Sequence, residues 1–316
     1  DEILIYPGTY TSTGNSVVDT GGANLWIHSS DGAAVTIIDG EGVRRGINCV
    51  NGETSATIFE GLTITGGYSD GDGGGMYVYV SDPTLIDCVF DGNFANNKGG
   101  GLYYLDGGTS TLTSCSFTNN TANDGGGACF WNGTFILTDC VFEGNTGNYF
   151  GGGLYKAGGS AQLTECVFTN NETIYNDGGG MFINQTSTTL TDCVFDGNTA
   201  GRDGGGMRKQ SSWPCTITSC NFENNNAVNV GGGIYTDGTP DLLDTVLCGN
   251  TPDHIYGDWD DDGGNCSAFT CQDDDDDGWP NECSTVGDGV HEVPGEYATI
   301  QEAIIASGPN DEILIG

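Results

Sequence analysis

The residues with the plainest chemistry are five aspartates in succession, Asp273 to Asp277, closed by Gly278. Alternate carboxylates at Asp273, Asp275 and Asp277, a glycine for the sharp turn, the Trp279 carbonyl and Asn281 together make an oxygen-rich loop of the kind a hard divalent cation selects, so Ca²⁺ is the expected cofactor. Position twelve of the loop is Ser284 where an EF-hand carries glutamate, so the loop is of another kind. The competing reading is an acidic linker with no bound ion. Asp258, Asp260, Asp262 and Gly263 form a weaker echo that reads as a solvated turn. Zinc is not expected: His28, His254 and His291 are scattered and no Cys-x-x-Cys occurs.

Basic side chains are too few for a second obvious site. Arg208 and Lys209 interrupt an aromatic position in a single coil beside Asp203, with Arg202 close by and Arg44 and Arg45 far upstream. One basic patch does not make a catalytic constellation, and the chain is read as a non-enzyme.

What must position these groups is a repeat. Three successive glycines begin at Gly73, Gly99, Gly125, Gly151, Gly178, Gly204 and Gly231, in steps of 26 or 27 residues. Such a period is the signature of a solenoid. Phe90, Phe117, Phe142, Phe168, Phe195 and Phe222 recur at fixed offsets, each followed three residues later by Asn93, Asn120, Asn145, Asn171, Asn198 or Asn225. Two residues before each phenylalanine stands a cysteine, Cys88, Cys115, Cys140, Cys166, Cys193 or Cys220, and a degenerate copy reads Leu247/Asn250. Cysteine and phenylalanine two apart share one face of a strand. Leu112 and Phe117 are five apart, as are the corresponding pairs, so a corner separates them, and the asparagine falls at a second corner. Short strands, frequent corners and no helical period predict one coil of a parallel β-helix per repeat, about nine or ten coils, with Phe, Cys and Asn stacked in inward ladders. Leucine-rich repeats share the period, but their signature is missing. At the usual strand spacing the rod is roughly 45 Å long.

The chain opens Asp1-Glu2-Ile3-Leu4-Ile5 and closes on the same five residues, Asp311 to Ile315. Ahead of the second copy, Thr299 and Glu302 form a capping box and Ile300, Ala303 and Ile304 an apolar helical face. The stretch Tyr297–Ile315, with the Pro7-Gly8-Thr9-Tyr10 turn that follows the other copy, resembles the cap helix and first strand of pectate-lyase-like right-handed β-helix proteins. The Gly-Gly-Gly coils with Cys-x-Phe-x-x-Asn are similar to the repeats of bacterial surface and polymorphic-outer-membrane-type β-helices, and the aspartate run is similar to calcium loops between extracellular repeats. The resemblance implies an all-β right-handed solenoid with one short capping helix. It implies no single activity, because the scaffold carries lyases, hydrolases, adhesins and rods alike. A pectate-type lyase would want Arg or Lys beside calcium-binding carboxylates on one face, and the long loops that build such a cleft are missing.

Seven basic against 44 acidic residues give a net charge of −37, which excludes a phosphate-backbone binder. No run approaches the roughly 20 apolar residues of a membrane span. Thirteen cysteines with little lysine suit an extracellular or cell-surface chain, read as a mature product or a fragment. The ladder cysteines are expected to be buried thiols; Cys248, Cys266, Cys271 and Cys283 are the better disulfide candidates, and Cys49, Cys129 and Cys215 stay open. Five Asn-x-Ser/Thr sequons, at Asn119, Asn132, Asn171, Asn184 and Asn265, are read as accidents of composition. Three regions are expected: a solenoid over 1–256, an Asp/Cys-rich calcium linker over 257–285, and a cap helix with first strand over 286–316 that belongs to the next copy. Ile313 and Ile315 would there take the places of Ile3 and Ile5, with Ile300 and Ile304 covering the end. The partners expected are copies of the chain itself, head to tail, in a structural rod, with surface polysaccharide second. A calcium-dependent polysaccharide lyase or carbohydrate-binding β-helix is the alternative function.

Overall fold

The computed structural model describes residues 1–268 and the two short strands Val290–Val293 and Glu312–Ile315. Over the described residues the chain is a parallel β-helix of about ten turns, and no helix occurs among them. The expected cap helix over 299–307 lies outside the described residues.

One coil shows how the sequence makes its corners. Leu102–Leu105 is followed by Asp106 at φ 56°, Thr109–Thr113 by Ser114 at φ 50°, Ser116–Thr118 by Asn119 at φ 55°, and Thr121–Asp124 by Gly125 at φ 64°. Four short strands meet at four corners, each turned by one left-handed residue. The corner expected between Leu112 and Phe117 is Ser114, and the one beside the ladder asparagine is Asn119, replaced in other coils by Gly92, Gly144, Gly197 or Gly249. Asn and Asp are the side chains that tolerate this region best, and glycine takes it freely.

The three glycines of a triplet are needed for different reasons. Gly125 turns the corner in the left-handed region. A Cβ on Gly126 would come within 2.5 Å of the Gly152 carbonyl oxygen, and one on Gly127 within 2.6 Å of the Gly153 oxygen. The coils stack too closely there for any side chain.

The coils pair strictly in parallel and in register: Phe90 lies on Phe117, Phe142, Phe168, Phe195 and Phe222, and then on Leu247. The rings stack with centroids 4.5–4.9 Å apart and planes within 6° of parallel. Neighbouring strands ordinarily turn by some 20–25°, so this stack is nearly untwisted, as side-chain ladders permit. A second inward column runs Ile3, Ile27, Phe59, Leu85, Leu112, Leu137, Leu163, Leu190, Ile217 and Leu242. The ladder cysteines are free, fully buried thiols between these columns.

The asparagine ladder is the most ordered polar feature. Each side chain from Asn93 to Asn225 donates one amide hydrogen to the next asparagine's Oδ1 at 2.9–3.0 Å and the other to a main-chain carbonyl of the preceding coil. The receiving oxygen also accepts the ladder residue's backbone N–H, as Asn120 does from Asn93 at 3.0 Å. Both donors are used with no water needed, so a group that would be costly to bury becomes cohesive.

Candidate functional site

The strands that follow the triplets carry the least repetitive chemistry. Their middle positions alternate outward and inward. The outward column, in register, is Tyr77, Tyr103, Cys129, Tyr155, Phe182, Arg208, Tyr235 and Tyr256. Arg208 thus takes the ring position, as the sequence suggests, while Lys209 takes the inward position beside it. The rings are not an open stripe: Tyr103, Tyr155 and Phe182 are buried, forming a small satellite core with Cys129 and Ala157. Phe150, from the segment before its triplet, lies 4.7 Å from the Phe182 ring and helps to cover it.

That preceding segment brings acids and a lysine over the same column. Lys98 pairs by a backbone bridge with Asp124, and its Nζ lies 5.2 Å from the Trp131 ring centre. Burial pushes the Asp124 carboxyl up to about 6 against the pull of Lys98, and raises Asp72 likewise. Asp124 is therefore a carboxyl that can carry a proton near neutrality, beside an ammonium and indole and phenol rings. Sequence reasoning missed this group; its one signal is a charged or aromatic residue just before each triplet, at Asp72, Lys98, Asp124, Phe150, Asp177 and Asp203.

The basic cluster singled out from sequence is brought together, but as a closed ion network. Arg202 binds Asp177, whose carboxyl burial raises despite this hydrogen bond, and lies 3.2 Å from Asp203. Arg208 donates to Asp237 at 2.6 Å, approaches Asp177 at 3.7 Å and lies 3.8 Å over the Tyr235 ring. With its side chain 6% exposed, Arg208 is committed on every side. Lys209 points its Nζ to the Ser211 carbonyl inside the coil. Lys156, one inward position earlier in the same column of strands, is fully buried, donates to the Asn132 carbonyl at 3.0 Å, and burial lowers its ammonium to about 7. Arg44 pairs with Glu41, and Arg45 lies over Tyr77.

The expected calcium ligands Asp273, Asp275, Asp277, Trp279 and Asn281 lie outside the described residues, as do Ile300 and Ile304. Among the described residues no group of three or more His, Cys, Asp or Glu side chains is placed to hold a metal ion. Asp260 of the weaker echo pairs with Asp241 on an exposed final strand. Cys49, Cys129 and Cys215 are free and buried, and Cys248 and Cys266 are disulfide-bonded. Of the sequons, Asn171 is spent in the buried ladder, whereas Asn119 and Asn132 are exposed at left-handed corners.

The two ends of the chain share a tetrapeptide in two settings. Glu2–Ile5 pairs with Trp26–Ser29 and forms the edge of its eleven-stranded sheet. Glu312–Ile315, with the same four residues, pairs in parallel with Val290–Val293. Ile3 belongs to the inward column yet is 42% exposed, while Ile27 and Phe59 below it are 3% and 0% exposed.

No curated protein matches the sequence. Among solved structures the fold is similar to the crystal structure of pectate lyase Pel9A, with a TM-score of 0.52 and 16% identity, covering 84% of this chain and 70% of that one. The family model described as right handed beta helix region matches residues 45–207, more than half of the 316. The chain therefore belongs to the right-handed β-helix family.

Proposed function

We propose that the chain is a unit of an extracellular, cell-surface β-solenoid with a structural role, continuing head to tail into a rod or filament whose junctions calcium stiffens. The observation that carries this reading is the open first coil. A residue of the inward column, Ile3, stands 42% exposed where its column mates are covered, so the stack begins as though a coil were missing above it. The uniform ladders add support: they make a stiff, nearly untwisted stack that any further coil can extend. The aspartate run at 273–277 would supply the calcium loop, since its carboxylates repel one another until a cation joins them. Negative-stain electron microscopy of the chain in calcium tests the reading. Rods of several lengths that shorten in EDTA are expected; compact monomers under both conditions would overturn it.

A second reading, polysaccharide binding or calcium-dependent lyase action, draws on the Asp124–Lys98–Trp131 group. It is less favoured because the rings beneath are covered and Arg208 is saturated with partners. Incubation with acidic polysaccharides and calcium, read as unsaturated product by absorbance, is expected to give no turnover. Robust turnover lost in Asp124→Asn or Lys98→Ala would reverse the preference.

A further inference from the structure

The identical end strands are each half flanked. Strand Glu2–Ile5 has a neighbour on one side, Trp26–Ser29, and none on the other among the described residues. Strand Glu312–Ile315 has the neighbour Val290–Val293. Trp26 and Ser30 donate their backbone N–H groups to the carbonyls of Asp1 and Ile5. Backbone groups alternate sides along a strand, so those of Glu2 and Leu4 face the open edge. The side chains tell the same story, Ile3 being 42% and Leu4 43% exposed.

We propose that this open edge is the seat for residues 290–293 of a second copy of the chain. The structure records how that segment pairs with the sequence Glu-Ile-Leu-Ile: Val290 beside the glutamate, His291 and Glu292 beside the isoleucine and leucine, Val293 beside the last isoleucine. The same register on the first strand sets Val290 beside Glu2, His291 beside Ile3, Glu292 beside Leu4 and Val293 beside Ile5. Because the two tetrapeptides are identical, the segment exchanges one for the other with no net loss of backbone pairing. Exchange of an identical element between chains is a low-cost route to association. The surplus comes from the cover placed on Ile3, Leu4 and the rest of the first coil. The contact is head to tail and leaves each copy with one seat and one donor, so it propagates rather than closing. This rests on the rod reading above and names the contact that would make it.

One substitution type, leucine to proline, has opposite effects at the two tetrapeptides. Leu4→Pro removes an N–H that faces the open edge and leaves the bonds to strand 26–29 in place. Ile313→Pro with Leu314→Pro weakens the strand that competes for residues 290–293. Sedimentation velocity of the full chain over a wide concentration range, with thermal melting as a control for folding, reads both. Wild type is expected to associate; Leu4→Pro should associate roughly tenfold more weakly with its melt unchanged, and the double variant more tightly than wild type. Association that Leu4→Pro leaves untouched, or that the double variant abolishes, would overturn this contact while leaving the rod reading intact. A chain that stays monomeric in all three forms overturns the rod reading itself. A monomer destabilised by Leu4→Pro places the segment on its own first strand, and overturns the second copy.

Discussion

The Phe–Asn corner and the strands after the triplets share one period, yet only the first repeats its residues coil after coil. At the corner every side chain meets its own kind above and below, and the asparagine amide has no donor left over. After the triplet the outward column runs tyrosine, tyrosine, cysteine, tyrosine, phenylalanine, arginine, tyrosine. The difference lies in what covers each position. The corner is covered by the neighbouring coils alone, which are identical, so its residues must be identical too. The outward column is covered by a segment that differs from coil to coil, so rings, a thiol and a guanidinium are each accommodated by their own local partners. Repetition here marks a stacking constraint, and departure from it marks a local solution.

The contrast breaks most sharply at the glycines. Gly126→Ala would set its Cβ within 2.5 Å of the Gly152 oxygen and against the Thr146 carbonyl as well, with only backbone available to move. A loss of more than about 4 kcal/mol is expected, enough to prevent folding of the central coils, and visible as lost cooperativity in a denaturant melt. At the corner itself, Asn145→Leu leaves the Asn120 backbone N–H, the Asn120 amide and the Phe117 carbonyl without their partner. Each orphaned buried group costs about 1–3 kcal/mol, so a loss of about 4 kcal/mol is expected by the same measurement. If Asn145→Leu proved no worse than an outward-column change such as Tyr155→Leu, the distinction between the two regions would fail.

The smallest effect sharpens the other side of the comparison. The Lys156 ammonium is lowered to about 7 by burial, from an ordinary 10.5. The folded state binds that proton less readily than the unfolded chain, so the lysine's contribution is full above the ordinary range and is lost as pH falls toward 7. Lys156→Met abolishes that slope. The difference in melting temperature, variant minus wild type, is expected to grow as pH is lowered from about 10 toward 7 and then to level off. A difference independent of pH would show that the lysine is not held in a low-dielectric site.

The period, the parallel coils, the inward Phe and Asn, and both corners around Phe117 are legible in the sequence, because they follow from fixed offsets and strand parity. The burial of Tyr103 and Tyr155 on the outward side is not. Parity places them facing away from the core, and nothing in a periodic pattern says that Phe150 or Asp124 will fold over them. The inward Lys156 and Lys209 are hidden for a related reason, since a charged residue ordinarily signals a solvated face. Their carbonyl partners at Asn132 and Ser211 lie at corners, where the pattern carries no pairing information.

The asparagine ladder has a direction. Every side-chain amide from Asn93 onward gives its hydrogen to the later coil and receives from the earlier one, ending at Asn250, whose amide lies 3.4 Å from His254 Nδ1. The molecule is thus an arrow at the level of single protons. One end of the line presents a donor and the other an acceptor, and the aligned dipoles reinforce one another along the way. Units can continue that line only tip to tail, so any fibre built on it inherits two chemically different ends and a built-in sense of growth.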